Sequence, residues 1–128
     1  MGSKLKVVYL CVDEGRKAPE EREILDDVDE FHRLIKCDTI DIVRREICGK
    51  YFRIVCDDEG FLKEAPLISA VSERIGFQPL AGNIIIAGCE NAEHPDELTD
   101  LSDDDVDLIL SEIRYIKMVG HYMLRLSR

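Results

Sequence analysis

Between residues 39 and 58, two runs rich in β-branched and aromatic side chains flank a single glycine, Gly49, and this pattern constrains the fold more than any other stretch. Glycine supplies the positive φ that a two-residue hairpin turn demands, so the pattern predicts an antiparallel hairpin turning at Gly49-Lys50. In that register Cys48 faces Tyr51, Ile47 faces Phe52, Glu46 faces Arg53 and Val43 faces Cys56, which sets opposite charges across from each other. One face carries Val43, Ile47, Phe52, Ile54 and Cys56, and the other Arg44, Glu46, Tyr51 and Arg53, so the first is the expected core side. Asp57-Asp58-Glu59-Gly60 then ends the hairpin as a polar turn.

Around this hairpin the remaining elements follow from periodicity. Residues 4–12 read as a strand that stops at Asp13-Glu14-Gly15, with Ile24-Leu25 as a short second strand beside it. Asp27 with Glu30 resembles a capping box, and Val28, Phe31, Leu34 and Ile35 share one helical face, so a short amphipathic helix should end near Cys37. Pro66, Leu67, Val71, Ile75 and Gly76 have the spacing and the ends of a second short helix. The apolar run 84–87 between Gly82 and Gly88 predicts a strand buried on both faces, beside the hairpin or the first strand. Ser102 and the aspartates after it open a helix with Val106, Ile109, Leu110, Ile113 and Ile116 as its stripe and Arg114 and Lys117 at its close. Gly120 should break or kink that helix and leave Tyr122, Met123, Leu124 and Leu126 as a tail packed on the core or on another chain. With no repeat, low-complexity tract or linker, the 128 residues form one domain, 1–128, whose helix end and tail occupy 114–128. The expected class is α+β: a small, mainly antiparallel sheet of the first strand, the central hairpin and the glycine-bounded strand, with helices packed on one face.

Twenty-seven acids against seventeen bases give a net charge of −10, the opposite of what a nucleic-acid backbone binder needs. The excess is not spread evenly. Between Ile75 and Ile113 stand ten acids and no Lys or Arg, and removing those ten leaves seventeen of each sign elsewhere. A segment of this kind on a folded surface attracts basic partners. The expected contacts are Asp103, Asp104 and Asp107 on the outer face of the last helix, with Asp100 and Glu97 before it. Tyr51 and Arg53, on the polar hairpin face, are residue types that anchor interfaces. The plainer alternative is a solvated face and a well-capped helix.

The residues lean against catalysis. Cys89 is the best-placed thiol, yet Glu90 and Glu93 oppose a thiolate there, and Cys37 lies at the negative end of a helix. Five cysteines without a CxxC pair read as reduced, mostly buried thiols. The three histidines lack zinc-ligand spacing, residues 100–107 lack the glycine and terminal glutamate of an EF-hand, and Gly82 and Gly88 bracket a strand instead of leading one into a helix. No catalytic residue, metal or cofactor is therefore expected. Residues 7–12 are too short for a signal-peptide core, Lys6 stands where myristoylation wants Ser or Thr, and no apolar run reaches a membrane span. The expected location is the cytoplasm.

The string 34–43, the hairpin 49–54, Cys56-Asp57-Asp58-Glu59-Gly60 and the run 82–88 together resemble a family of unknown function: small accessory proteins carried on conjugative elements and phages of gut Clostridia. The resemblance covers residues 25–113, is most specific at residues 37–43 and at 56–60, and includes the Leu98-Thr99-Asp100 and Leu101-Ser102-Asp103 starts of the acidic segment. It departs at 65–79 and beyond Met118. It implies a setting, a mobile genetic element, and transfers no catalytic motif. The expectation is thus a non-enzymatic accessory protein that binds a basic protein surface, for example as a nucleic-acid mimic inhibiting a nuclease or another host defence factor. The alternatives are a small enzyme using Cys89 or the Asp57-Asp58-Glu59 turn, and a regulatory domain for a small ligand.

Overall fold

The computed structural model describes residues 3–13, 18–62, 67–72, 79–89, 94, 97–118 and 120–126. Along them run β1 (Lys4–Leu10), β2 (Glu20–Leu25), α1 (Val28–Ile35), β3 (Ile40–Ile47), β4 (Lys50–Asp57), a 3-10 turn (Gly60–Leu62), β5 (Ile68–Ser72), β6 (Leu80–Ala81), β7 (Ile84–Ala87), α2 (Asp103–Glu112), β8 (Ile113–Ile116) and β9 (His121–Leu126). Among the described residues, no helix is long and apolar enough to cross a membrane.

The run Ile84-Ile85-Ile86-Ala87 has no polar face, so it needs neighbours on both edges and cover on both sides. It has all four. β7 is the middle of a five-stranded antiparallel sheet ordered β2-β1-β7-β4-β3, with Tyr9 opposite Ile85 and Ile54 opposite Ile86. Strand alternation divides this sheet into two cores. On one side Val7, Tyr9, Val55 and Ile85 pack under Phe31, Leu34 and Ile35 of α1. On the other, Val8, Phe52, Ile54 and Ile86 pack under Val106 and Ile109 of α2 and Ala70, Leu124 and Leu126 of a second, four-stranded sheet ordered β6-β5-β9-β8. The α+β, mainly antiparallel architecture is as the sequence predicts, but the helices lie on opposite faces of the larger sheet and do not share one.

Local chemistry sets the ends of α1. The Asp27 carboxylate accepts the Asp29 N–H at 2.8 Å, and Lys36, at φ 62°, returns its N–H to the His32 carbonyl. Buried Asn83 joins three elements: its Oδ1 accepts the Val12 N–H at 2.8 Å, and its Nδ2 donates to the Leu34 carbonyl at 3.4 Å.

Several expectations are corrected. The hairpin turns at Cys48-Gly49, φ 49° and 85°, one residue earlier than predicted, because Cys48 takes the left-handed conformation usually left to Gly or Asn. Ile47 therefore faces Lys50, Glu46 faces Tyr51, Val43 faces Ile54, and Arg44, not Glu46, lies opposite Arg53. The face assignment survives, since the shift preserves the alternation: Ile47, Phe52 and Ile54 are fully buried. Residues 68–72 form strand β5, where a helix was predicted from Pro66 to Gly76; Pro66 and residues 73–76 of that helix lie outside the described residues. β5 runs parallel to β9, with Ala70 beside Leu124, so a long-range partner decides a segment whose spacing also suits a helix. Likewise α2 stops at Glu112. Ile113–Ile116 becomes β8, and the presumed tail is β9, paired to β8 through a turn holding Gly120 at φ 74°. Buried His121 ties β9 to β5 by donating from Nε2 to the Ile68 carbonyl at 2.9 Å.

Gly60, in the 3-10 turn after β4, lies close against β6, since a Cβ there would stand 2.8 Å from the Ala81 carbonyl oxygen. Gly60→Ala is expected to cost about 1–3 kcal/mol by overpacking, read as a lower urea midpoint at unchanged slope. An unchanged midpoint would show that the turn and β6 separate freely at this point.

Candidate functional site

The acidic start of α2 is held by local capping and by two distant lysines. Ser102 Oγ accepts the Asp105 N–H at 3.1 Å, and the Asp105 carboxylate returns to the Ser102 N–H at 3.4 Å, a closed capping box. Upstream, Thr99 and Gly88 exchange backbone hydrogen bonds, and the Leu101 N–H donates to the Lys6 carbonyl at 3.0 Å. The helix therefore starts against β1 and the end of β7.

Onto this frame come the cations. The Lys6 ammonium bonds the Asp103 carboxylate, while the Lys6 backbone N–H donates to Asp100 Oδ1 at 2.8 Å. Lys50 Nζ lies 2.5 Å from Asp105 Oδ1, and Asp105 is only 7% exposed. Glu112, at the other end of α2, has Arg125 at 3.7 Å and Arg114 at 3.9 Å. The expectation of a wholly uncompensated segment is thus corrected: it lacks its own bases, but β1, β4, β8 and β9 supply them. Sequence spacing carries no sign of Lys6 or Lys50, which lie 97 and 55 residues from their partners.

These contacts move the titrations in consistent directions. The Lys6 hydrogen bond holds the Asp103 carboxyl below its ordinary value, and the same contact raises Lys6. For Asp105, burial alone would push the carboxyl up, but hydrogen bonds from Lys50 and Ser102 together hold it low.

The predicted contact residues separate accordingly. Asp104 and Asp107 point outward from α2, opposite buried Val106 and Ile109, and neither has an ion pair among the described residues. Asp103 keeps 89% of its side chain exposed even while bonded to Lys6, and Asp100 is exposed. Arg53 is committed elsewhere: its Nη1 donates to the carbonyls of Glu97 and of His94, pinning that segment to the hairpin. Tyr51 is 43% exposed, with the Arg44 guanidinium 4.1 Å from its ring centre. A cavity of about 270 Å³ lies where the hairpin end meets the start of α2, lined by Lys50, Tyr51, Cys89, Asp100 and Asp105. There the Cys89 thiol donates to the Tyr51 carbonyl at 3.4 Å. Cys56, in contrast, is buried, and burial with Asp41 nearby pushes its thiol up to about 12, which leaves it inert.

Residues 6–118 match the DUF3846 family, described as a domain of unknown function. The matched stretch takes in β1 and residues 65–79, beyond the reach of the sequence resemblance. No curated protein and no solved structure matches the chain.

Two variants test this frame. Ser102→Ala should cost about 1 kcal/mol in chemical denaturation through loss of the cap. Because the Asp105 carboxyl is held low in the folded state, its contribution is complete above the ordinary carboxylate range and is lost as pH falls through the folded value. In Lys50→Gln the burial of Asp105 is opposed less, so acid unfolding followed by circular dichroism should begin at higher pH than in the parent. Superimposable acid profiles would mean that the Lys50 contact contributes nothing to folding.

Proposed function

Given that the chain belongs to the DUF3846 family, we propose that it is a non-enzymatic accessory protein that works by binding a basic protein surface. The observation that carries this reading is the outer face of α2, where Asp104 and Asp107 stand exposed and have no ion pair among the described residues. Asp100 and Asp103 flank them, and the lysine contacts of Asp103 and Asp105 hold the helix in place. Carboxylates on a fixed helix lose little freedom on docking, which favours recognition by charge. Three positions apart on the helix, Asp104 and Asp107 have Cβ atoms about 5–6 Å apart, so the two carboxylates present their charge side by side.

The fuller form of the proposal places the protein in the cytoplasm, encoded on a mobile genetic element. There it occupies the nucleic-acid cleft of a nuclease or another DNA-binding host factor and so blunts a defence. The resemblance supplies that setting, and the net charge of −10 agrees with it. Of the expected contacts, we leave Arg53 out of the proposed surface, because its guanidinium is bound to the 94 and 97 carbonyls.

The experiment is capture of partners from a native host lysate, followed by binding of purified DNA-binding candidates, with the Asp104→Lys/Asp107→Lys double variant as control. Both positions are exposed, so the variant should fold as the parent does. Binding should weaken by at least about tenfold between about 0.05 M and about 0.5 M salt, be displaced by duplex DNA, and vanish in the double variant. Binding indifferent to both salt and charge reversal would overturn the reading.

A further inference from the structure

A second region of the molecule has the make-up of a ligand site, and it is remote in sequence from α2. Between β3, at one edge of the five-stranded sheet, and β6 lies a cleft of about 350 Å³, within the size range of small-molecule sites. Alternate residues of β3, Asp41, Val43 and Arg45, form one wall; Leu80 and Ala81 of β6 form the other, and the turn after β4 closes the end. The close approach of Gly60 to the Ala81 backbone fixes the distance between the walls at that end.

We propose that this cleft binds a compact organic cation, an aliphatic primary amine, with its ammonium group at Asp41 and Asp58 and its stem along Val43, Pro79 and Leu80. Among the described residues, three carboxylates, those of Asp41, Asp57 and Asp58, share the cleft with one guanidinium, that of Arg45. Asp57 serves the turn by accepting the Glu59 N–H at 2.9 Å, and Arg45 donates to the Arg44 carbonyl at 3.0 Å. Asp41, whose Oδ1 accepts the Ile42 N–H at 2.9 Å, and Asp58 are exposed at the rim and carry the charge a ligand would meet. The buried Cys56 thiol in the wall registers the same balance: after burial, Asp41, Asp57 and Asp58 all oppose its ionisation, and Arg45 alone favours it. An anion would meet net like charge, and a neutral polar molecule would leave the rim carboxylates without a counter-ion. An ammonium on a short aliphatic stem satisfies both the rim and the apolar walls.

The test is titration of the full chain with n-butylamine, followed by amide NMR, with butan-1-ol and butanoate as probes sharing the same stem. Butylamine should shift signals of residues 41–45, 56–62 and 79–81 to saturation by about 10 mM, and neither comparator should do so. The Asp41→Asn/Asp58→Asn variant should weaken binding by at least about tenfold. The Asp104→Lys/Asp107→Lys variant should leave it unchanged, which separates a site from general attraction to an acidic protein. No saturating shift, equal shifts with butanoate, an unaffected Asp41→Asn/Asp58→Asn variant, or loss of binding on reversing charge at α2 would each overturn the proposal. None of these outcomes bears on partner binding through α2.

Discussion

The whole arrangement depends on a central strand with no side that water can wet. All four side chains of β7 are fully buried, so the sheet around it must be covered on both faces, and a chain of this length has little to cover it with. Among the described residues, α1 and Leu98 cover one face. The other takes α2 and the entire second sheet, which explains why a small domain with a single expected sheet has two. Each of the three isoleucines faces one of these covers by simple alternation, so the two cores are coupled through the same short strand.

Placement of α2 over one core is also what puts its acidic turn beside cations. The buried stripe Val106 and Ile109 fixes the rotation of the helix, and that rotation turns Asp105 inward to Lys50 and Asp104 and Asp107 outward. Asp105 has a double role, in the cap of its own helix and in the ion pair with β4, so it belongs to the architecture and not to the outward-facing surface. The same distinction holds on the hairpin, where Arg53 secures backbone carbonyls while Tyr51 remains open beneath Arg44.

What could be read from residues alone was whatever is specified locally. The alternation of 51–56, the glycine-bounded run at 84–87, and the caps at Asp27 and Ser102 each act within a few residues, and each leads to the element found. The second sheet was not legible, because Leu67 and Val71, like Ile113 and Ile116, fit a helical period as well as a strand, and their pairing partners lie tens of residues away. The hairpin register slipped because a non-glycine, Cys48, adopts positive φ. The acidic segment was recognised but its counter-ions were not, since complementarity between Lys6 and Asp103 exists only once β1 and α2 are neighbours. The cleft beside β3 escaped notice for the same reason: Asp41, Asp58 and Leu80 become a set only in three dimensions.

β9 alone joins the parts of the smaller sheet. It lies between β5 and β8, parallel to the first and antiparallel to the second, and those two do not pair with each other. Without it β5 and β8 would each present an open hydrogen-bonding edge, and the core face that the sheet covers would meet water. Loss of this one strand would therefore undo both pairings at once.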